Sequence, residues 1–172
     1  AGQYAAPGVS KCDTCPAGKF SEAAASKCED CDAGKYTKEG GKSACDECPT
    51  GSVAKTQGAD SCEHCEEGYF MAETGKSSCV ICEAGSFSKS GSAKCDTCEA
   101  GTFSESGSSK CDKCDAGKSS GSGSNECTLC EEGKFSGSGS GECTSCAKGK
   151  YADKKGSTQC SDCSEGTYAG VT

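Results

Sequence analysis

The cysteines of this chain come in Cys-x-x-Cys pairs, a spacing that supports three kinds of chemistry. Such thiols can form structural disulfides, bind zinc as thiolates, or act as a redox couple. Ten pairs recur every 16 or 17 residues and account for all 20 cysteines. The pairs are Cys12/Cys15, Cys28/Cys31, Cys45/Cys48, Cys62/Cys65, Cys79/Cys82, Cys95/Cys98, Cys111/Cys114, Cys127/Cys130, Cys143/Cys146 and Cys160/Cys163. The chemistry is therefore that of a tandem repeat.

Disulfides fit this pattern better than zinc or redox chemistry. The gaps of twelve or thirteen residues between pairs are legitimate zinc-site spacing. However, four-cysteine zinc sites would favour alternating short and long gaps, and the period here is uniform. Ser- and Gly-rich, cysteine-dense repeats are typical of oxidising compartments, and a thioredoxin-type couple needs one reactive pair on a βαβ scaffold. We expect disulfides and no cofactor, and keep a zinc-thiolate protein as an alternative.

The rest of the composition excludes several classes of protein. Only eleven of the 172 residues are Leu, Ile, Val or Phe, too few for a hydrophobic core. Covalent cross-links must replace that core. The net charge is -8 and the chain contains no Arg, so we expect no nucleic-acid partner. No apolar run is long enough to predict a membrane span in this segment.

Most repeats carry at least two glycines and one aromatic residue. A Gly follows the second Cys by three residues, and a Phe or Tyr stands two residues later, except at Val53 and Ser119. A second Gly amid Ser, Lys and Glu predicts a hairpin turn. The Ala-rich residues 23–26 occupy the place of this turn and are the one helix-tolerant stretch. We predict a small disulfide-rich fold: an elongated, solenoid-like rod of about ten 16–17-residue loop or short β-hairpin repeats, with no hydrophobic core and little or no helix.

The period also sets the predicted repeat boundaries. The complete repeats are 15–30, 31–47, 48–64, 65–81, 82–97, 98–113, 114–129, 130–145 and 146–162, and the partial ones are 1–14 and 163–172. Because both ends match parts of a repeat, we expect the chain to be a window of a longer array. In a solenoid each unit contacts only its neighbours, and we expect the same here.

Two disulfide connectivities fit the spacing. In the first, the second Cys of each pair joins the first Cys of the next, and in the second, adjacent pairs interlock as Cys12–Cys28 with Cys15–Cys31. The uniform period favours the first, because interlocked modules would show two alternating signatures. The first scheme predicts Cys15–Cys28, Cys31–Cys45, Cys48–Cys62, Cys65–Cys79, Cys82–Cys95, Cys98–Cys111, Cys114–Cys127, Cys130–Cys143 and Cys146–Cys160, with Cys12 and Cys163 pairing outside this window.

The segments CPAGKF (15–20) and CEAGTFSESGSSKCDKC (98–114) resemble the ephrin-receptor-like cysteine-rich repeat. They are also similar to the first submodule of tumour-necrosis-factor-receptor cysteine-rich domains, which opens with Cys-x-x-Gly-x-aromatic. The resemblance covers nearly the whole chain and implies an extracellular, disulfide-laddered architecture. The submodule's own bridge, from the Cys before the Gly to the next Cys, supports the first connectivity. The resemblance carries over no catalytic residue.

Few other residues suggest chemistry. His64, the sole histidine, lies between Cys62 and Cys65, and we interpret it as a variable exposed position because no triad can be built around it. With no recurring nucleophile and base, we predict that the chain is not an enzyme. The Ser-rich turns suggest O-glycosylation, for which the example positions are Ser88, Ser90, Ser104, Ser106, Ser136 and Ser138.

These features predict an extracellular or cell-surface structural protein, a stalk, surface coat or filament segment with a mechanical or spacer role. A ligand-binding or adhesive receptor ectodomain is the first alternative. The expected partners are further copies of the repeat in the same chain, identical chains in a filament, and glycans.

Overall fold

A computed structural model describes residues 1–167, and these residues form ten two-stranded antiparallel hairpins and no helix. Each hairpin pairs consecutive strands. The strands are β1 (Gln3–Tyr4), β2 (Asp13–Thr14), β3 (Lys19–Phe20), β4 (Glu29–Asp30), β5 (Lys35–Tyr36), β6 (Asp46–Glu47), β7 (Ser52–Val53), β8 (Glu63–His64), β9 (Tyr69–Phe70), β10 (Val80–Ile81), β11 (Ser86–Phe87), β12 (Asp96–Thr97), β13 (Thr102–Phe103), β14 (Asp112–Lys113), β15 (Lys118–Ser119), β16 (Thr128–Leu129), β17 (Lys134–Phe135), β18 (Thr144–Ser145), β19 (Lys150–Tyr151) and β20 (Ser161–Asp162). The predicted fold class, a helix-free array of disulfide-linked hairpins, is confirmed for this part of the chain.

One register serves all ten hairpins. In each hairpin, the first strand is formed by the two residues that follow the first Gly, and the second of these is the position usually held by Phe or Tyr. The second strand is formed by the two residues inside the Cys-x-x-Cys pair. In the second hairpin, Lys19 pairs with Asp30 and Phe20 pairs with Glu29. Both side chains of the second strand are exposed in every hairpin. Their residue types differ from repeat to repeat.

The chain packs as two compact units. The first contains Ala1–Ile81 and Ser88–Cys95, and the second contains Cys82–Phe87 and the described part of Asp96–Thr172. Both units are built from the same hairpins. Tyr168, the last aromatic residue of the periodic series, and most of the partial repeat at 163–172 lie outside the described residues.

The turns need backbone conformations that favour glycine. Gly58 and Gly75, in the predicted hairpin turns, have φ values of 74° and 69°. Ala24 takes the same place in its repeat with a φ of 62°, in the left-handed region that L-residues with a Cβ disfavour. The Ala-rich stretch at 23–26 is thus a strained turn and not a helix.

Half-cystines supply most of the buried apolar residues. Cys15, Cys31 and Cys48 have no exposed surface, and the same position is buried in most other repeats. A small apolar cluster of Val53, Cys65 and Met71 lies in the first unit, with Cys79 packed against it. Cross-links and backbone hydrogen bonds therefore take the place of a continuous core. None of the described residues belongs to a helix of the length and hydropathy that a membrane crossing requires.

Candidate functional site

The recurring site is the junction where a hairpin after the first is closed by a disulfide and hydrogen-bonded to the next repeat. Eight bridges join the second Cys of one pair to the first Cys of the next, with Cα–Cα distances of 5.6 to 5.8 Å. They are Cys15–Cys28, Cys31–Cys45, Cys48–Cys62, Cys65–Cys79, Cys98–Cys111, Cys114–Cys127, Cys130–Cys143 and Cys146–Cys160. Cys82 and Cys95 are disulfide-bonded as well. The interlocked connectivity is not the one adopted.

Each bridge closes a loop with a sequence separation of 13 or 14. Removing the conformational freedom of such a loop from the unfolded chain stabilises the folded state by about 3 kcal/mol in the chain-entropy model. Cys12 and Cys163 carry free thiols, exposed in the first case and half-buried in the second. Their pairing with partners outside this segment stays a prediction.

The Gly after each pair bonds to the next repeat. The Gly18 N–H donates to the Thr37 carbonyl at 3.0 Å, and the same bond recurs from Gly34 to Ala54 at 2.8 Å. The turn Gly bonds in the opposite direction, since the Gly58 N–H donates to the Cys31 carbonyl at 2.8 Å. Consecutive repeats are thereby joined through backbone groups.

Contacts also reach two repeats along the chain. A Cβ on Gly18 would collide with the carbonyl oxygen of Gly58, and the Thr74 hydroxyl donates to the Glu47 carboxylate at 2.8 Å. The expectation that each repeat contacts only its immediate neighbours is therefore wrong. The physical reason is the missing side chain: without a Cβ at the first Gly, the turn of the second-next repeat comes within contact of its backbone.

A row of buried hydroxyls is a second recurring feature. The residue three positions after the first Gly is Ser or Thr in most repeats, and its hydroxyl donates to a carbonyl of the preceding repeat. Ser120 donates to the Thr102 carbonyl at 3.0 Å, and its hydroxyl lies 3.2 Å from Cys114 Sγ. This role was not predicted from the sequence, although the recurrence of Ser or Thr at one register position is a usable signal.

This row includes three of the suggested glycan positions. Ser88, Ser104 and Ser136 are only 1%, 3% and 2% exposed, and their hydroxyls donate to the carbonyls of Tyr69, Ser86 and Lys118. A buried, bonded hydroxyl has no room for a glycan, so the O-glycosylation prediction is corrected at these three positions. Ser90, Ser106 and Ser138 are exposed, and their hydroxyls donate to the carbonyls of Cys65, Cys82 and Cys114.

His64 is exposed, as expected, and lies beside a cavity. The cavity has a volume of about 260 Å³. Val53, Tyr69, Cys65 and Cys79 contribute its apolar wall, and His64 and Glu66 are among its polar lining residues. It is lined by residues of the repeats 48–64 and 65–81, and in the first of these Val53 replaces the usual aromatic residue.

Ion pairs between exposed side chains add weak interactions at the surface. Lys55 Nζ lies 2.9 Å from a Glu63 carboxylate oxygen, and Lys155 Nζ lies 2.7 Å from one of Glu131. The hydrogen bond and charge of Glu63 raise the pKa of Lys55, and those of Glu131 raise the pKa of Lys155. These exposed pairs contribute little to stability. Within residues 1–167, no three or more His, Cys, Asp or Glu side chains are grouped to hold a metal ion.

Residues 18–65 and 133–172, just over half of the chain, match the family model described as "Tyrosine-protein kinase ephrin type A/B receptor-like". The matched segments begin at the Gly that follows a Cys pair. A comparison with curated proteins found no match.

Proposed function

Because the chain belongs to the ephrin type A/B receptor-like family of cysteine-rich repeats, we propose that it is an extracellular structural protein with a mechanical or spacer role. It would serve as a segment of a stalk, surface coat or filament. The family is a non-catalytic type of domain. Disulfides of this density are stable in oxidising compartments, which supports an extracellular or cell-surface location.

The observation that carries the proposal is the repeated closure of a small loop by its own disulfide, in most of which the first half-cystine is buried. Cys114 is fully buried and bridges to Cys127, and the next bridge, Cys130–Cys143, starts three residues later. When the chain is pulled, load passes along these short links, and the residues inside each closed loop stay protected. Such a chain extends little under force.

Single-molecule pulling tests the proposal. A closed loop with a sequence separation of 13 hides about 45 Å of extended chain. We expect the oxidised chain to unfold without releasing this length, and we expect each reduced bridge to add one such increment. The double variant Cys98→Ala with Cys111→Ala is the matched control, because it should add one increment without reductant. Equal extension of oxidised and reduced chains would overturn the mechanical role.

A ligand-binding or adhesive ectodomain is the second candidate. The observation that favours it is the set of exposed apolar side chains in one hairpin, Tyr69, Val80 and Ile81. Glycans on Ser90, Ser106 or Ser138 are compatible with either function. Mass measurement of the secreted chain before and after deglycosylation tests them.

A further inference from the structure

The hairpin containing Val53 lacks the large aromatic side chain that most repeats carry at the equivalent position. Most repeats place Phe or Tyr two residues after the first Gly, as at Phe20, Tyr36 and Phe87. Val53 is one of the two exceptions, the other being Ser119, and its side chain is 1% exposed. The cavity of about 260 Å³ lies against this side chain. Apolar cavities of about 150 Å³ accept a benzene ring, so this one is large enough for a ring of the size that Val53 lacks.

We propose that this cavity receives an aromatic side chain of a protein partner. Its walls suit a ring: Val53, the Cys65–Cys79 bridge and Tyr69 all line it. The partner's ring would occupy the space that an aromatic residue at position 53 would fill from within. One disulfide junction, Cys65–Cys79, forms part of the wall, but binding of a ring does not depend on the mechanical role and is tested independently of it.

The surroundings of the cavity favour a protein over a free small molecule. Tyr69, Val80 and Ile81 are 37%, 49% and 43% exposed, and Tyr69 pairs across the hairpin with Ile81. At the place of Val80 and Ile81, the preceding hairpin carries Glu63 and His64. Exposed apolar surface around a pocket is the usual setting of an aromatic anchor at a protein interface.

The negative charge at the rim of the cavity indicates which residues should flank the aromatic side chain in the partner. Glu66 lines the cavity and Glu67 follows it, both exposed. Lys55 also lines the cavity, but its ammonium group is paired with the Glu63 carboxylate at 2.9 Å. The chain as a whole carries a net charge of -8. A partner segment with Lys or Arg beside its aromatic residue complements this rim.

The test uses the full oxidised chain labelled with ¹⁵N and a peptide probe, acetyl-Gly-Lys-Phe-Lys-Gly-amide. We expect saturable shifts of the backbone amides of Val53, Tyr69 and Cys79. The same peptide with Ala for Phe should bind at least about tenfold more weakly. N-acetyl-phenylalanine amide, a ring without flanking charges, should bind more weakly than the Phe peptide.

Two substitutions to the usual aromatic residue make a matched pair. Val53→Phe should fill the cavity and abolish peptide binding, whereas Ser119→Phe should leave it unchanged because Ser119 lies in another repeat. Tyr69→Ser removes an exposed wall residue and should weaken binding even if Val53→Phe fails to fold. Equal binding of the Phe and Ala peptides, or unchanged binding in both Val53→Phe and Tyr69→Ser, would overturn the proposal. Equal affinity for the peptide and the free ring would overturn the assignment to a protein partner.

Discussion

The backbone of Gly18 lies against the carbonyl oxygen of Gly58, two repeats further along the chain, in a space that a Cβ would occupy. The same relationship joins Gly34 to Gly75 and Gly101 to Gly139. The hairpins that contain Gly18, Gly34 and Gly101 therefore contact the second-next repeat, in addition to being closed by a disulfide.

Gly18→Ala should be severely destabilising because the methyl group collides with backbone and because φ is 78°. We expect a loss above about 4 kcal/mol in the free energy of local opening. Gly8→Ala is the matched control, since Gly8 has a φ of 85° and open space around its Cβ position. The control should lose only the cost of the left-handed conformation, about 1–2 kcal/mol. Amide hydrogen exchange measures the free energy of local opening in both variants. Equal losses in the two would show that the contact between Gly18 and Gly58 is unimportant for stability.

Ala24→Gly should stabilise its turn. Ala24 has a φ of 62° and is exposed, so glycine relieves strain without loss of packing. The strain of about 1–2 kcal/mol is partly offset by the backbone entropy of glycine, which leaves a gain of about 0.5–1 kcal/mol. Slower exchange of the amides near residue 24 would report the gain. Faster exchange there would show that the turn is not strained.

Ser120→Ala should remove a buried hydrogen bond and leave the Thr102 carbonyl without that donor. We expect a cost of about 1–2 kcal/mol, and a folded variant, since Ala54 and Ala152 occupy the equivalent place in other repeats. Ser122→Ala serves as the comparison, because the Cys98 carbonyl that Ser122 bonds also accepts the Gly123 N–H. Proteolysis rates of the two variants under native conditions should differ, with Ser120→Ala the faster.

The free thiols can be counted directly. The unreduced chain is denatured with a chelator present, alkylated and weighed. We expect two added groups, on Cys12 and Cys163. Alkylation of nearly all 20 cysteines would instead identify a zinc-thiolate protein and contradict the disulfide junctions. A mass of twice the chain would show that Cys12 or Cys163 bridges two copies.

Much of the fold follows from a few residue types. The Cys pairs and the glycines predicted hairpins without helix, because a cysteine at each end fixes a strand and a positive φ favours glycine. Sequence could not show that Gly18 meets Gly58, because that contact depends on the rotation between successive repeats. It also could not separate Ser88 from Ser90, since burial is decided by which side of the turn each hydroxyl faces.

The cavity beside Val53 could not be predicted from the sequence either. Val53 was recognisable as an exception to the aromatic rule, but so was Ser119, and the residue type alone does not show which exception opens a space. The apolar lining of the Val53 site comes from Tyr69 and Cys79 in the following repeat. A binding site of this kind needs coordinates as well as a repeat pattern.

The contacts between repeats have a consequence for how the chain is made. A ribosome delivers repeats in order, and each can oxidise its own loop as soon as both cysteines emerge, since they are only 13 or 14 positions apart. The Gly18 junction cannot be completed until the turn at Gly58 has also been synthesised. The most recently synthesised repeats of such a protein thus form their disulfides before they pack against later repeats. Disulfide formation at that stage needs an oxidant close to the site of synthesis.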